Sequence, residues 1–152
     1  MFFITENVLS NDQIYYWKDL IANFYHNNKS NNPFAWKNRT IDISNESVVQ
    51  VIKEALKNQI NIDLELAQAQ LQVWPEGSES KLHIHNDYGR RNTTFNSLLY
   101  LNDDFEGGEF YTKNITIKPK TGTLTLFNGR EELHGVKKVI ENHRYTMIFW
   151  WK

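Results

Sequence analysis

The sequence predicts an α+β fold in which two helices precede a long run of short strands that pack as a sandwich or barrel. Three observations carry this reading. Apolar residues recur at helical spacing in the first part of the chain, at Ile14, Trp17, Ile21 and Phe24 and again at Val48, Val51, Ile52, Ala55 and Leu56. After Ile62 the period changes to two, with Ala67, Ala69, Leu71 and Val73 alternating with Gln68, Gln70, Gln72 and Trp74. Residues three and four apart share a helix face and residues two apart share a strand face, so a change of period is a change of element. Turn signals then divide the second part: Gly107-Gly108, Lys120-Thr121-Gly122 and Asn128-Gly129. Many short segments separated by such turns are the pattern of a β-sandwich or barrel.

In chain order, residues 2–5 form a short strand, and Ser10 or Asn11 caps a helix over about residues 12–25. Residues 27–40 are rich in Asn and contain Pro33, which suits an irregular loop. Ser44 or Asn45 caps a second helix that runs to about residue 59. Beyond the alternating segment that ends at Trp74, strands are expected at about 80–87, 94–101, 108–112, 114–118, 122–127, 134–139 and 143–151. The reading is one domain over 1–152, with 1–62 as a helical support region and 63–152 as the β core.

The composition narrows the function. A chain of 152 residues with 40% apolar and 14% aromatic residues builds a globular core. A net charge of −1 supplies no basic surplus for a nucleic-acid groove. The absence of cysteine excludes disulfides, thiolate metal sites and thiol catalysis. No run of about 18 apolar residues is present to span a membrane, and the N-terminus lacks the basic flank and apolar run of a signal peptide. A cytoplasmic protein with no membrane partner is the expectation. Oligomeric state is not legible.

The chemistry-bearing residues lie in the β region. His85 and Asp87 are two apart, so on a strand they point to one face, and His134 follows later in the chain. Two imidazoles and a carboxylate on one side of an octahedral Fe(II) leave three positions for a chelating cosubstrate and O2. His83 shares that strand face, so a metal can take either His83 with His85 or His85 with Asp87. Arg144 opens an otherwise apolar strand on which Arg144, Thr146, Ile148 and Trp150 share a face. A guanidinium there is costly to bury without an anion, and its fork suits a carboxylate.

Taken in order, these pieces resemble the prolyl 4-hydroxylase-like branch of the Fe(II)/2-oxoglutarate-dependent dioxygenases. The matching segments are Trp74-Pro-Glu-Gly77, His85-Asn-Asp87, Leu98-Leu-Tyr-Leu-Asn-Asp-Asp-Phe-Glu-Gly-Gly-Glu109, Lys118-Pro-Lys-Thr-Gly122 with Thr123-Leu-Thr-Leu-Phe127, and Leu133-His-Gly-Val136. Arg144 follows His134 by ten positions and Trp150 follows Arg144 by six, as in the family, and the likeness covers about residues 66–152. It implies a double-stranded β-helix (jelly-roll) core with the N-terminal helices packed on the larger sheet. It implies Fe(II) held by His85, Asp87 and His134, and Arg144 paired with the distal carboxylate of 2-oxoglutarate in a pocket shaped by Trp150. Asn96 falls where the family often has a small hydroxyl residue near the cosubstrate, and Trp74 where it often has a tyrosine. The implied reaction uses O2 and converts 2-oxoglutarate to succinate and CO2 while hydroxylating an unactivated C–H bond, with ascorbate as a candidate reductant. The substrate is a peptide or protein proline or a small metabolite.

Two readings compete. A cupin would hold a metal with His83, His85 and His134, but it expects a Glu where the chain has Gly89 and Arg90, and it leaves Arg144 unexplained. A metal-free jelly-roll binding module supplies no reason for three ligand types and an anion-binding Arg in one order. The aromatics Tyr15, Tyr16, Trp36, Phe95 and Phe110 are expected to be packing residues. Arg90 and Arg91 follow the metal motif, where they could meet an acidic substrate, although exposed loop arginines are ordinary.

Overall fold

The capping box at Ser10 starts the first helix: Ser10 Oγ accepts the Gln13 N–H at 3.2 Å while Gln13 Oε1 accepts the Ser10 N–H at 2.9 Å. The computed structural model describes residues 2–85, 93–118 and 120–152, so Asp87, Arg90, Arg91 and Pro119 lie outside the described residues. The elements in chain order are β1 (Phe2–Thr5), α1 (Asn11–Asn28), β2 (Thr40–Asp42), α2 (Val48–Ile60), β3 (Leu66–Trp74), β4 (Ser80–His83), β5 (Phe95–Tyr100), β6 (Glu106–Gly107), β7 (Phe110–Thr112), β8 (Thr116–Ile117), β9 (Leu124–Asn128), β10 (His134–Val136), β11 (Val139–Glu141) and β12 (Arg144–Trp151).

Three details depart from the expected elements. Tyr25, not Phe24, completes the buried stripe of α1, because its hydroxyl finds the Pro33 carbonyl at 3.1 Å. Ser44 does not cap α2. Its hydroxyl accepts the Ala69 N–H at 3.0 Å and ties the chain to β3, while the helix starts at Ser47 without a side-chain cap. The segment expected to be all loop ends in the short strand β2, which pairs with β3 and forms a sheet edge.

The strands form a six-stranded antiparallel sheet in the order β1-β9-β5-β12-β3-β2, a four-stranded sheet β4-β10-β7-β8, and the small pair β11-β6. This is the jelly roll the sequence pointed to, with β12 in the middle of the larger sheet between β5 and β3. Alternation divides that sheet into two faces. On one, Ala69, Leu71, Val73, Leu99, Leu124, Leu126, Met147, Phe149 and Trp151 pack against Ile14, Ile21, Ile52 and Leu56 of the two helices. A fully buried side chain of this size contributes about 1.5–3 kcal/mol, so this face carries the stability of the fold. The other face turns toward the smaller sheet and is free to carry polar groups. On it, Arg144 lies opposite Trp74, Thr146 opposite Gln72 and Tyr100, Ile148 opposite Leu98, and Trp150 opposite Asn96. Among the described residues no helix is long and apolar enough to cross a membrane.

Candidate active site

Pairing of β4 with β10 sets His134 opposite His83, and the chain leaving β4 brings His85 to the same place. His134 is 5% exposed and its ring sits between Phe127, at 4.7 Å, and Phe110, at 5.8 Å. Its Nδ1 lies 2.7 Å from the Glu132 carbonyl oxygen. An oxygen of that kind only accepts, so Nδ1 carries the proton and Nε2 presents a lone pair. His85 is held in the same way, with Nδ1 2.9 Å from Asn96 Oδ1. The two Nε2 atoms then face each other at 3.2 Å. Two lone pairs at that distance repel unless a cation lies between them. Two nitrogens bound to one ion at about 2.1 Å, with an angle of about 90–109°, are themselves about 3.0–3.4 Å apart. The pair therefore fits a metal ion.

His83 completes a cluster. Its ring centre is 4.5 Å from that of His134 and 5.4 Å from that of His85. Its Nδ1 lies 2.8 Å from the Lys81 carbonyl oxygen. One ligand atom from each of His83, His85 and His134 falls within 4.8 Å of the others. Burial pushes the His134 pKa down to about 4, against the pull of its Glu132 hydrogen bond and with help from the other two imidazoles. Its ring is thus neutral near pH 7, the form that binds a metal.

At the other side of the same cavity, Arg144 is 0% exposed. Its Nε, Nη1 and Nη2 have no hydrogen-bond partner among the described residues, and neither do the Tyr100 hydroxyl nor the Thr146 hydroxyl beside it. The guanidinium carbon lies 5.2 Å from the Tyr100 ring centre and 5.5 Å from that of Trp74. Burial lowers the Arg144 pKa, with Tyr100 acting in the opposite direction. A buried cation and two buried hydroxyls with no partner are the donor set that a carboxylate satisfies. The cavity, about 460 Å³, runs from these groups past Leu98, Phe110, Phe127 and Ile148 to the histidines.

A family model described as the 2OG-Fe(II) oxygenase superfamily matches residues 69–152, more than half of the chain. The chain belongs to this superfamily. Among curated proteins it is 44% identical to human prolyl 3-hydroxylase 2 over 64 residues, which are 37% of this chain and 9% of that protein. Chicken prolyl 3-hydroxylase 1 is 38% identical over the same length and share. The chain thus spans a small fraction of the curated relatives it matches. Among solved structures, a Pseudomonas putida prolyl-4-hydroxylase aligns with a TM-score of 0.74 at 16% identity over 99% of this chain and 91% of that one. A viral collagen prolyl hydroxylase from Paramecium Bursaria Chlorella virus-1, in complex with 2-oxoglutarate, aligns with a TM-score of 0.73 at 15% identity over 99% of this chain and 94% of that one. At these identities the structural likeness concerns the fold.

In this superfamily member the residues picked from sequence lie as follows. His85, His134, Arg144, Trp74 and Trp150 all line the one cavity, together with His83. Asn96 sits behind His85 as its Nδ1 partner, and its own Nδ2 is buried with no partner among the described residues. The Trp74 indole N–H is directed to Gln72 Oε1 at 3.2 Å, so Trp74 meets Arg144 through its ring face. Three residues of the site were missed. Tyr100 and Thr146 were signalled by alternation, which places them on the face of Leu98 and Arg144. Gly129 read only as part of a turn. Its carbonyl accepts the His85 N–H at 2.7 Å, and a Cβ there would collide with Asn96 Oδ1 and lie 2.8 Å from His85 Nδ1. Trp36, expected to be a packing residue, is instead 51% exposed and borders the cavity. Tyr15 and Tyr16 are likewise exposed, whereas Phe110 is buried.

Proposed function

We propose that this chain is an Fe(II)- and 2-oxoglutarate-dependent dioxygenase that hydroxylates an unactivated C–H bond and releases succinate and CO2. The reading rests above all on the unpaired Arg144 guanidinium, buried with the Tyr100 and Thr146 hydroxyls in the cavity that holds the facing imidazoles. That arrangement asks for a dianionic chelator with one carboxylate at Arg144 and the other end at the metal, which is the shape of 2-oxoglutarate. The bound Fe(II) would supply the activation of O2 that oxidative decarboxylation and C–H hydroxylation need.

The chain's own residues have three tasks. His85, Asp87 and His134 would hold Fe(II), with Asn96 and the Glu132 carbonyl orienting the two imidazoles from behind. Arg144, Tyr100 and Thr146 would anchor the distal carboxylate, with Trp74 over the guanidinium and Trp150 closing the same face. Leu98, Phe110, Phe127 and Ile148 would keep water from the reacting centre. A peptide or protein proline is the substrate class most in keeping with the relatives' names; a small metabolite is the other. The curated sequence relatives are named for position 3 of proline and the bacterial fold neighbour for position 4, so either ring carbon is a candidate target. Ascorbate would serve as reductant, and a cytoplasmic location is the accompanying proposal.

The cluster also favours a second ligand set, because His83 lies with His85 and His134. One comparison decides between them. Asp87→Ala should weaken Fe(II) binding by more than about 10-fold and His83→Ala by less than about 3-fold, if the carboxylate is the third ligand. The reverse order would make the site tris-histidine. For the activity itself, the assay is succinate formation from 2-oxoglutarate under O2 with added Fe(II). No formation with any proline peptide or metabolite, together with no 2-oxoglutarate binding in the absence of O2, would overturn the proposal.

A further inference from the structure

A second buried guanidinium stands against the wall of the cavity. Arg39 is 4% exposed, and its guanidinium carbon lies 4.0 Å from the Trp36 ring centre and 5.0 Å from that of Trp74. The Arg144 guanidinium carbon lies 5.5 Å from the same Trp74 ring centre. Both indoles line the cavity. Trp74 is thus shared by two cations, which stand no farther apart than the sum of their distances to its ring centre. Neither has a carboxylate within ion-pair distance among the described residues.

The main chain of β3 fixes Arg39 in place. Its Nε donates to the Val73 carbonyl at 3.0 Å, its Nη1 donates to the Phe34 carbonyl at 3.4 Å, and its own carbonyl accepts the Val73 N–H at 2.9 Å. Its Nη2 is buried with no hydrogen-bond partner among the described residues. Burial pushes the Arg39 pKa down to about 10, with Tyr25 acting against the shift and Arg144 adding to it. The group therefore stays charged near pH 7 and feels the charge of Arg144. Ring faces offset part of the cost of burying two such cations, but they supply no counter-charge. An anion at Arg144 relieves both. Arg39 also precedes residues 69–152, the part of the chain that matches the family model, so this cation is an addition from the N-terminal region.

We propose that Arg39 is a positioning residue for the cosubstrate: its charge, acting across Trp74, raises the affinity of the Arg144 end of the cavity for a carboxylate and so sharpens the choice of a dianion over a ligand with an uncharged far end. A unit charge about 10 Å away, in surroundings of effective dielectric constant about 20, changes a binding constant by about 10-fold. Support of the indole alone would favour both kinds of ligand alike, whereas the charge favours only the one with a distal carboxylate. The proposal rests on the oxygenase reading above.

The test uses the full chain loaded with Mn(II) and titrated in a calorimeter with 2-oxoglutarate or with 2-oxopentanoate, the same carbon chain with a methyl group in place of the distal carboxylate. Arg39→Met should weaken 2-oxoglutarate binding by about 10-fold and 2-oxopentanoate binding by less than about 3-fold. Arg39→Lys, which keeps the charge, should hold 2-oxoglutarate within about 3-fold of the wild type. Arg39→Gln keeps a donor for the Val73 carbonyl without the charge. It should behave like Arg39→Met, and it is read in that variant's place if Arg39→Met does not fold. A merely structural role predicts another pattern, with both ligands weakened alike and Gln a better replacement than Lys. That pattern, or a folded Arg39→Met with unchanged 2-oxoglutarate affinity, would overturn the inference. Failure of the wild type to bind 2-oxoglutarate sinks the oxygenase reading, whereas wild-type binding that ignores the charge of residue 39 sinks only the role of Arg39.

Discussion

Replacing Arg144 by Met should stabilise the ligand-free protein and at the same time abolish its response to 2-oxoglutarate. Arg144 is 0% exposed and none of its three nitrogens has a hydrogen-bond partner among the described residues. A buried charge without an ionic partner costs about 3–5 kcal/mol, of which the Tyr100 and Trp74 rings, 5.2 and 5.5 Å from the guanidinium carbon, offset a part. Met retains the length and apolar character of the stem without the charge, so removing the guanidinium should return about 3 kcal/mol of that cost. For a domain of this size each kcal/mol moves the melting temperature by about 2–4 °C, which predicts a rise of about 6–12 °C in metal-free, cosubstrate-free buffer. Ligand binding reverses the comparison. At a 2-oxoglutarate concentration 100 times its Kd, with Fe(II) and no O2, the wild type should gain about 2.7 kcal/mol, and the variant almost nothing. Differential scanning calorimetry in the two buffers reads both effects. A variant that melts at or below the wild type without ligand would mean that the charge is compensated in the fold. Equal upward shifts with 2-oxoglutarate would mean that the carboxylate binds elsewhere. Either result refutes the reasoning.

Gly129→Ala should loosen the metal site without unfolding the domain, because the added methyl displaces the Asn96 carbonyl that orients His85. Loss of such a supporting partner lowers metal affinity about 10–100-fold, which Mn(II) titration calorimetry would register; unchanged affinity would show that His85 needs no such support. Acid stability follows from His134. Its folded pKa of about 4 lies below its ordinary value of 6.5, so the unfolded chain takes up the proton first. That contribution is complete above pH 6.5 and is lost as pH falls toward 4, by about 3 kcal/mol in the metal-free protein. Urea denaturation from pH 4 to pH 7 should therefore show stability rising with pH, and His134→Asn should flatten the slope. It should not remove it, since burial also lowers the His143 pKa. A slope identical in the variant would show that His134 titrates normally. Swapping the third ligand by Asp87→Ala and His83→Ala, with Fe(II) affinity as the readout, decides the ligand set.

Periodicity carried most of the fold. The stripe of Ile14, Trp17 and Ile21, the alternation through Val73, and the alternation from Arg144 to Trp151 each survive in α1, β3 and β12 because one face of each buries apolar surface. What failed were choices between equivalent local signals. Ser44 and Asn45 are both plausible caps by local signal, but the long-range bond from Ser44 to Ala69 holds Ser44 against β3, and the helix begins after Ser47 with no side-chain cap. Tyr25 joins the fully buried stripe because a carbonyl awaits its hydroxyl, while Phe24 packs partly buried against the same core.

The sequence by itself determined which residue types could bind a metal and an anion, and that alternation would set Arg144 and Thr146 on one face. It left open whether His83 joins His85 and His134, since i and i+2 spacing serves His83 and Asp87 equally. Only the tertiary structure brought three imidazoles within 4.8 Å, left Arg144 buried beside two free hydroxyls, and set Gly129 against Asn96. Side-chain direction along a strand is a local consequence of the pleat, readable from spacing. Which strands face one another across a cavity depends on how two sheets close, and that is decided by pairings between residues far apart in the chain.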